Sequence, residues 1–290
     1  MIMEINKYVL FADIAETKNF TRSGEKMGYT QPGVSHILKS MEQELGFPLF
    51  NRTRQGIELT ANAEVLLPII RRMLSINEQL EQTVASLNGL DIGHLTIASF
   101  ASTSRMWLPK VLNRFQHQYP GIEVELLEGG TDEIINWVNN SIADFGLMSR
   151  RNTDDLEWIH IADDPLIAVL PKNYVGENVD SFPITRMHQQ PFIISAEGTD
   201  YDIHYALDDS GVVPNMKFSS KDDSAIVSMV SNNLGLSILP KLVVEGIDFD
   251  YLALPLDPPY SRELGVAYRA STALSPAARH FIDLLIEEID

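Results

Sequence analysis

The sequence predicts an α+β multidomain protein with an N-terminal winged helix-turn-helix, a long linker helix and a C-terminal α/β domain of two lobes. Three observations carry that expectation. Residues 19–56 hold two short helical stretches, each with its own start and stop residues, followed by a turn. Residues 60–89 hold one continuous helical pattern, and from Gly93 strands alternate with helices. The expected boundaries are 1–60 for the head, 61–90 for the linker and 91–290 for the last domain. Within that domain one lobe takes about 91–163 and 267–290, and the other about 164–266.

In the head, Asn19 can cap a first helix through its side-chain oxygen, and Gly28-Tyr29 breaks that helix after Met27. Thr30 caps the next, with Pro32 in its first turn, where a missing N–H costs little, and Gly46 ends it in a left-handed position. Upstream, Tyr8, Phe11, Ala12 and Ala15 form one stripe of an amphipathic helix. Phe20, Met27, Val34, Ile37, Leu38 and Met41 complete a three-helix core. Gly24 leaves room where the two motif helices cross, at roughly 1 kcal/mol of helix propensity.

That pattern is the sequence form of a helix-turn-helix, whose second helix can lie in the major groove of a duplex. From spacing alone, a helical hairpin that binds nothing is the alternative. Gln31 and Ser35 occupy the leading turns, where side chains meet base edges, and a glutamine can be bidentate to adenine. His36 follows, and Lys39 suits phosphate, as do Thr30 and the helix N-terminus. Arg22 adds a local cation, and Arg52 and Arg54 flank a wing turn at Gln55-Gly56, placed for the backbone or the minor groove.

The net charge of −18 has the wrong sign for a protein that approaches phosphate. Its distribution weakens the objection. Residues 1–60 carry seven basic and seven acidic side chains and are neutral, so the whole excess lies downstream. A neutral head is still no basic patch. Affinity must then come from local placement of Arg22, Lys39, Arg52 and Arg54, from helix N-termini, and from duplication in a dimer.

Duplication is what the linker suggests. Leu66, Ile70, Met73, Asn77, Leu80, Val84 and Leu87 follow steps of four and three, a coiled-coil seam with one polar member that fixes register. Thr60 is its cap and Asn88-Gly89 its stop, while Pro68 removes one helical hydrogen bond and is expected to kink it. The competing view is a stripe packed on its own domain.

Beyond Gly93, strands are expected at His94–Phe100, Ile122–Leu127 and Asp144–Met148, separated by helices. A second lobe begins at 165–171, and Leu264–Tyr268 returns to the first. Such alternation predicts parallel sheets. Two lobes joined by two crossings make a cleft, as in periplasmic solute-binding proteins. Hydroxyls and amides at strand ends can hold a small molecule there. The segments Ser99–Ser104, Gly129-Gly130-Thr131, Ser195–Thr199 and Ser219–Asp222 offer this chemistry. From them Ser99, Ser102, Thr103, Thr131, Ser195, Thr199 and Asp222 are the candidate ligand residues, although each could equally be a helix cap. Helix N-termini favour anions, but Glu197, Asp200, Asp202, Asp222 and Asp223 make an amine or a zwitterion competitive.

Catalytic signatures are lacking. There is no phosphate-binding P-loop, no GxGxxG after a strand, no GxSxG and no HExxH, and the seven histidines lack metal spacing. Asp154-Asp155 and Asp163-Asp164 read as solvated loop pairs. No cysteine is available for disulfides, thiolate nucleophiles or zinc. No apolar run reaches membrane-spanning length, and Met1-Ile-Met-Glu does not resemble a signal peptide, so a cytoplasmic protein is expected.

From Tyr8 to Thr60 the chain resembles the winged helix-turn-helix of LysR-type transcriptional regulators. The matching residues are Phe11, Ala15-Glu16, Phe20-Thr21-Arg22, Glu25, Gln31-Pro32, Val34-Ser35, Leu45-Gly46, Leu49-Phe50 and Arg52. The downstream architecture is similar as well, so the resemblance spans essentially the whole chain. Ser23-Gly24 replaces two alanines usual in the family, and His36 stands where a larger basic or amide side chain is common, which bears on operator sequence. The resemblance implies a regulator, not an enzyme, with no cofactor but a small-metabolite effector. It also implies double-stranded operator DNA as partner and a homodimer assembled as a dimer of dimers. The rival readings are a sensing module whose N-terminal helices are only an interaction surface, and a ligand-dependent enzyme.

Overall fold

The structure is a computed structural model that describes residues 5–53, 56–88, 91–150, 156–174, 179–196, 201–270 and 273–289, with the backbone alone at Arg52 and Thr53. Among these residues the chain divides into two units, Met1–Gly93 with Asn140–Ile142, and His94–Asn139 with Ala143–Asp290.

In the first unit, α1 (Ile5–Thr17), α2 (Phe20–Lys26) and α3 (Gln31–Leu45) precede a hairpin of β1 (Phe50–Thr53) and β2 (Gly56–Leu59), and α4 (Ala61–Leu87) follows. Caps set these boundaries. Asn19 Oδ1 accepts from the amides of Thr21 and Arg22 at 3.0 and 3.1 Å, and Thr30 Oγ1 accepts from Gly33 at 3.3 Å. Gly46 closes α3 at φ +82°, and Thr60 Oγ1 accepts from Ala63 at 3.2 Å to open α4. Leu10, Ile14, Val34 and Leu38 bury one side of the head, and Phe11, Met41, Leu49, Ala63, Leu67 and Ile70 bury the other.

That packing moves the expected linker seam. Ile70 is buried in the head core with Leu66 against it, and Asn77 donates to Glu81 on its own helix. The apolar residues α4 leaves exposed are Val65, Ile69, Ile76, Leu80, Val84 and Leu87. With half-buried Met73 they step 4, 4, 3, 4, 4, 3 along the helix. This is an eleven-residue repeat, near the natural period of a straight α-helix. The exposed apolar stripe therefore lies one position away from the expected one over its first half, because the head core takes Leu66 and Ile70. Pro68 stands inside the helix.

The second unit contains β3 (Ile92–Ser99, from His94), α5 (Ala101–Met106), α6 (Leu108–Gln118), β4 (Gly121–Glu128), α7 (Thr131–Asn139), β5 (Phe145–Ser149) and β6 (Leu156–Pro171). It continues with β7 (Phe182–Pro183), β8 (Pro191–Ser195), α8 (Tyr201–Asp209), β9 (Asn215–Ser220), α9 (Asp223–Ser231) and β10 (Ser237–Pro240). The last elements are α10 (Lys241–Val244), β11 (Tyr251–Asp257), β12 (Ser261–Arg269) and α11 (Pro276–Ile289). The main sheet runs β4-β3-β5-β12-β6-β11-β7, with β10 also on β6, while β8 and β9 pair separately.

The expectation of parallel sheets holds only in part. β3–β5 and β8–β9 are parallel, but β12 is antiparallel to both β5 and β6, and β10 and β11 are antiparallel to β6. The cause is β6, a 16-residue strand whose first half serves one lobe and whose second half serves the other. Strand–helix alternation does not reveal a strand that crosses between lobes, nor that β12 returns beside it. A register shift at Leu264/Gly265 accommodates the crossing, and a Cβ on Gly265 would stand 2.2 Å from the Ile159 carbonyl oxygen. Three apolar clusters fill the lobes, around Phe115, Phe145 and Phe281, around Phe182 and Phe192, and around Val169, Val227 and Val230.

Gly24 tests the head packing. A Cβ there would meet Val34 Cγ2 at 2.6 Å and the Tyr29 carbonyl oxygen at 3.1 Å, a stiff β-branched side chain and backbone. Gly24→Ala is expected to lower stability by about 1–2 kcal/mol, since overpacking outweighs the helix-propensity gain of about 1 kcal/mol. Chemical denaturation of the full chain reads this, and an unchanged or raised midpoint of the head transition would show the crossing is loose.

Candidate nucleic-acid interface and ligand cleft

Burial of Val34, Leu38 and Met41 fixes which face of α3 looks outward. Gln31, Pro32, Ser35, His36 and Lys39 are all exposed on it. Gln31, Ser35 and Lys39 are spaced four apart and form one row along the helix. Arg22 on α2 and the cap Thr30 are exposed beside that row. Arg52 pairs with Ile57 in the hairpin, but its side chain, and the whole of Arg54, lie outside the described residues.

Not every cation of the head is available to a polyanion. Lys7 is paired with Glu44, and Lys26 with Asp13 at 2.6 Å. Burial pushes the Asp13 carboxyl up, yet hydrogen bonds from Lys26 and Ser23 more than offset this and hold it below the ordinary aspartate value. These pairs tie α1 to α2 and α3. The α3 row, Lys18 and Arg22 are exposed cationic or polar groups outside these pairs.

In the second unit, a cavity of about 350 Å³ opens between the lobes. One lobe contributes Phe100, Ala101 and Ser102 at the start of α5, and Glu128, Gly129, Gly130 and Glu133 at the β4–α7 junction. The other contributes Ser195, Lys221, Asp223, Pro240 and Val243, and Arg262 comes from the crossing strand β12. Arg262 is fixed from several sides. Its Nε donates to Asp164 Oδ2 at 2.9 Å, and its Nη2 lies 2.8 Å from the same oxygen and donates to Ser102 Oγ at 3.0 Å. Its guanidinium sits 5.4 Å from the Phe100 ring centroid, and Asp164 Oδ1 accepts from the Leu242 amide at 2.9 Å. Burial raises the Asp223 carboxyl above its usual value, against the pull of Arg262 and Arg105 and a hydrogen bond from Ser195.

The sequence-derived ligand residues divide accordingly. Ser102 and Ser195 line the cavity. Ser99 and Thr103 are fully buried in a closed network: their hydroxyls are 2.7 Å apart, and each donates to the Phe100 carbonyl at 2.9 Å. Thr131 is buried at the start of α7. Asp222 caps α9, accepting from Ser224 and Ala225 at 2.9 and 3.3 Å, and Thr199 lies outside the described residues.

The strongest charge in the cleft was not among them. Asp164, expected on a solvated loop with Asp163, is buried and ion-paired; Asp163 is exposed beside His160. Asp154-Asp155 fall outside the described residues. The sequence held no local signal for Arg262, because its partner lies 98 positions away and only strand pairing brings them opposite. Among the described residues no group of three His, Cys, Asp or Glu side chains is arranged to hold a metal, and no helix is long and apolar enough to cross a membrane.

A helix-turn-helix with an exposed second helix, joined to a two-lobed domain with a cleft, defines a class of DNA-binding regulators. Comparison with known proteins specifies which one. Residues 5–64 match the bacterial regulatory helix-turn-helix family of lysR type, and residues 88–290 match the LysR substrate binding domain. The chain belongs to the LysR family of transcriptional regulators, DNA-binding proteins and not enzymes. It is 29% identical over 288 residues to the HTH-type transcriptional regulator YvbU of Bacillus subtilis, covering 98% of each chain. Full-length OxyR from Pseudomonas aeruginosa superposes with a TM-score of 0.79 at 20% identity, over 100% of this chain and 95% of that one. The CcmR regulatory domain of Synechocystis, solved in complex with 2-PG, gives a TM-score of 0.63 at 23% identity, over 68% of this chain and 97% of that domain.

The buried ion pair makes a stability prediction. Asp164→Ala would leave the Arg262 charge buried and unpaired, so a loss of about 3–5 kcal/mol is expected. Combining it with Arg262→Met should recover most of that loss, because no charge then remains to be solvated. Urea unfolding of the single and double variants measures both, and a double variant as unstable as the single would show that the pair acts by shape and not charge.

Proposed function

We propose that this regulator reads operator DNA through the exposed face of α3 and that a small metabolite bound between the lobes controls it. The observation that carries the reading is the row Gln31, Ser35 and Lys39, exposed on a helix whose opposite face is core. Gln31 and Ser35, with His36 and Pro32 beside them, meet base edges. Arg22, Thr30 and Lys39 meet phosphate, and Arg52 and Arg54 of the wing reach the backbone or minor groove. Ser102 and Ser195 bind the effector in the cleft. Ser99, Thr103, Thr131 and Asp222 shape its walls from behind, and Thr199, outside the described residues, is a further candidate for the effector. That CcmR's regulatory domain was solved with 2-PG supports a small molecule in this domain.

Two copies act together. The exposed apolar steps from Val65 to Leu87 on α4 suit a second copy of the same helix, and a dimer of dimers would double the spaced half-sites. The working divisions are a head at 1–60, a linker at 61–90 and an effector domain at 91–290, in a cytoplasmic protein. Effector binding shifts the balance between lobe arrangements only as far as it favours one of them, and α4 passes the difference to the paired heads.

Two measurements test this. Gln31→Ala should weaken binding to the operator by about 1–3 kcal/mol while leaving a scrambled duplex nearly unaffected, as read by fluorescence anisotropy at fixed salt. Equal losses on both duplexes would remove Gln31 from base reading. Leu80→Glu should halve the mass or more in light scattering, since a charge in an apolar seam is not compensated there. An unchanged mass would place the dimer contact elsewhere.

A further inference from the structure

The charges around the cleft restrict what can bind there. Among the described residues its walls carry two cations, Lys221 and Arg262, and three carboxylates, Glu128, Glu133 and Asp223. Arg262 is not a spare cation, because Asp164 already takes its Nε and Nη2. Of the helix N-termini at the cleft, those of α7 and α9 are already engaged. The Gly130 amide, before α7, donates to Glu133 Oε2 at 3.0 Å, and the first amides of α9 donate to Asp222. At those two helix starts the chain's own carboxylates occupy the positions that would otherwise attract an anion.

A ligand bearing negative charge alone would add to this excess. It would also lie near Asp223, whose ionised form is already disfavoured by burial. A ligand bearing positive charge alone would leave the Arg262 end unanswered. Asp164 and Ser102 engage only Nε and Nη2 of its guanidinium, which has five N–H donors in all. Ser102 and Ser195 provide hydroxyls nearby, and Phe100, Pro240 and Val243 provide apolar wall. The volume, about 350 Å³, lies at the small end of ligand pockets.

We infer that the cleft takes a small zwitterion of the α-amino acid class, its carboxylate held at Arg262 and Ser102 and its ammonium facing Glu128, Glu133 and Asp223. The inference rests on the reading of this cleft as the effector site and specifies the chemistry it selects. The two charges of such a ligand answer both signs of charge in the cleft walls, whereas its 2-hydroxy acid lacks the cation and its decarboxylated amine lacks the anion. Asp164 acts as a positioning residue that keeps Arg262 aimed across the crossing strands.

The experiment uses the full chain and thermal-shift screening of the proteinogenic L-amino acids, inorganic phosphate, small mono- and dicarboxylates and simple alkylamines. Titration calorimetry then compares the best amino acid with its own 2-hydroxy acid and its own decarboxylated amine. The expected result is at least one amino acid that binds about tenfold or more tighter than either analogue, consistent with a lost charge–charge contact of about 1.4 kcal/mol. Glu133→Gln can still accept from the Gly130 amide, and with Asp223→Asn it should narrow the gap between the amino acid and the hydroxy acid. Ser102→Ala should weaken the amino acid and the hydroxy acid alike. A hydroxy acid, phosphate or carboxylate that binds as well as the best amino acid, or an amine that does so, overturns the inference. If such a ligand also loses affinity on Ser102→Ala, the cleft remains the effector site and only its selectivity has been misread. Folded protein that responds to none of the classes overturns the inference and the effector reading together.

Discussion

The second unit depends on β12 pairing with the first half of β6 up to the point where that strand passes into the other lobe. Their register puts Asp164 opposite Arg262 at the point where one lobe gives way to the other. Both side chains are buried, so neither charge could remain there without the other. The pair also gathers distant parts of the chain, since Arg262 reaches Ser102 in α5 and Asp164 accepts from Leu242 in α10. Without that anchor the cleft would lose its only buried cation among the described lining residues, and the two strands would lose their shared polar contact.

Other bonds bridge the same lobes and are of a different kind. Tyr201 Oη donates to Asp132 at 2.9 Å, Ser149 Oγ donates to Asp202 at 2.8 Å, and Arg105 donates to the carbonyls of Leu242 and Val243. Tyr201 and Arg105 are exposed, so water competes for their partners and the net gain per bond is of order 1 kcal/mol. A buried charge pair at the crossing with weak polar contacts around it suits a hinge. The crossing stays fixed, while the contacts between facing lobe surfaces can break and form within the range of one ligand's differential binding.

The head was the most legible part of the sequence because its structure is decided locally. Asn19, Thr30, Gly46 and Thr60 act within a few residues of themselves, and each takes the capping or stopping role its chemistry suggested. Gly24 could be read as a close crossing because two short helices with a four-residue turn leave few ways to pack. The linker seam was less legible, since periodicity shows that a helix has an apolar face but not which neighbour buries it. Leu66 and Ile70 fit the seam by spacing and were taken by the head core. The cleft was least legible. Ser102 and Ser195 follow strands and could be placed, whereas Arg262 and Asp164 meet only through long-range pairing. Thr103 and Asp222 each make hydrogen bonds around the start of their own helix, a role that a hydroxyl or carboxylate at a strand end takes by the same chemistry that would hold a ligand.

Charge connects the two units without any contact between them being needed. The acidic excess lies wholly outside the first sixty residues, and at physiological ionic strength its field is screened within roughly 8 Å. A neutral head gains little from long-range attraction to a duplex. Its hold on phosphate comes from a few cations and oriented amides, so one head alone has weak affinity. In the proposed dimer or dimer of dimers, heads fixed at the right spacing would act at high effective concentration, and the same weak contacts would then suffice. A regulator built this way needs no large change in any single contact to be switched. A modest change in the spacing of the proposed paired heads would remove the multivalent gain, which would make the weakness of the isolated head a condition for control by a small ligand.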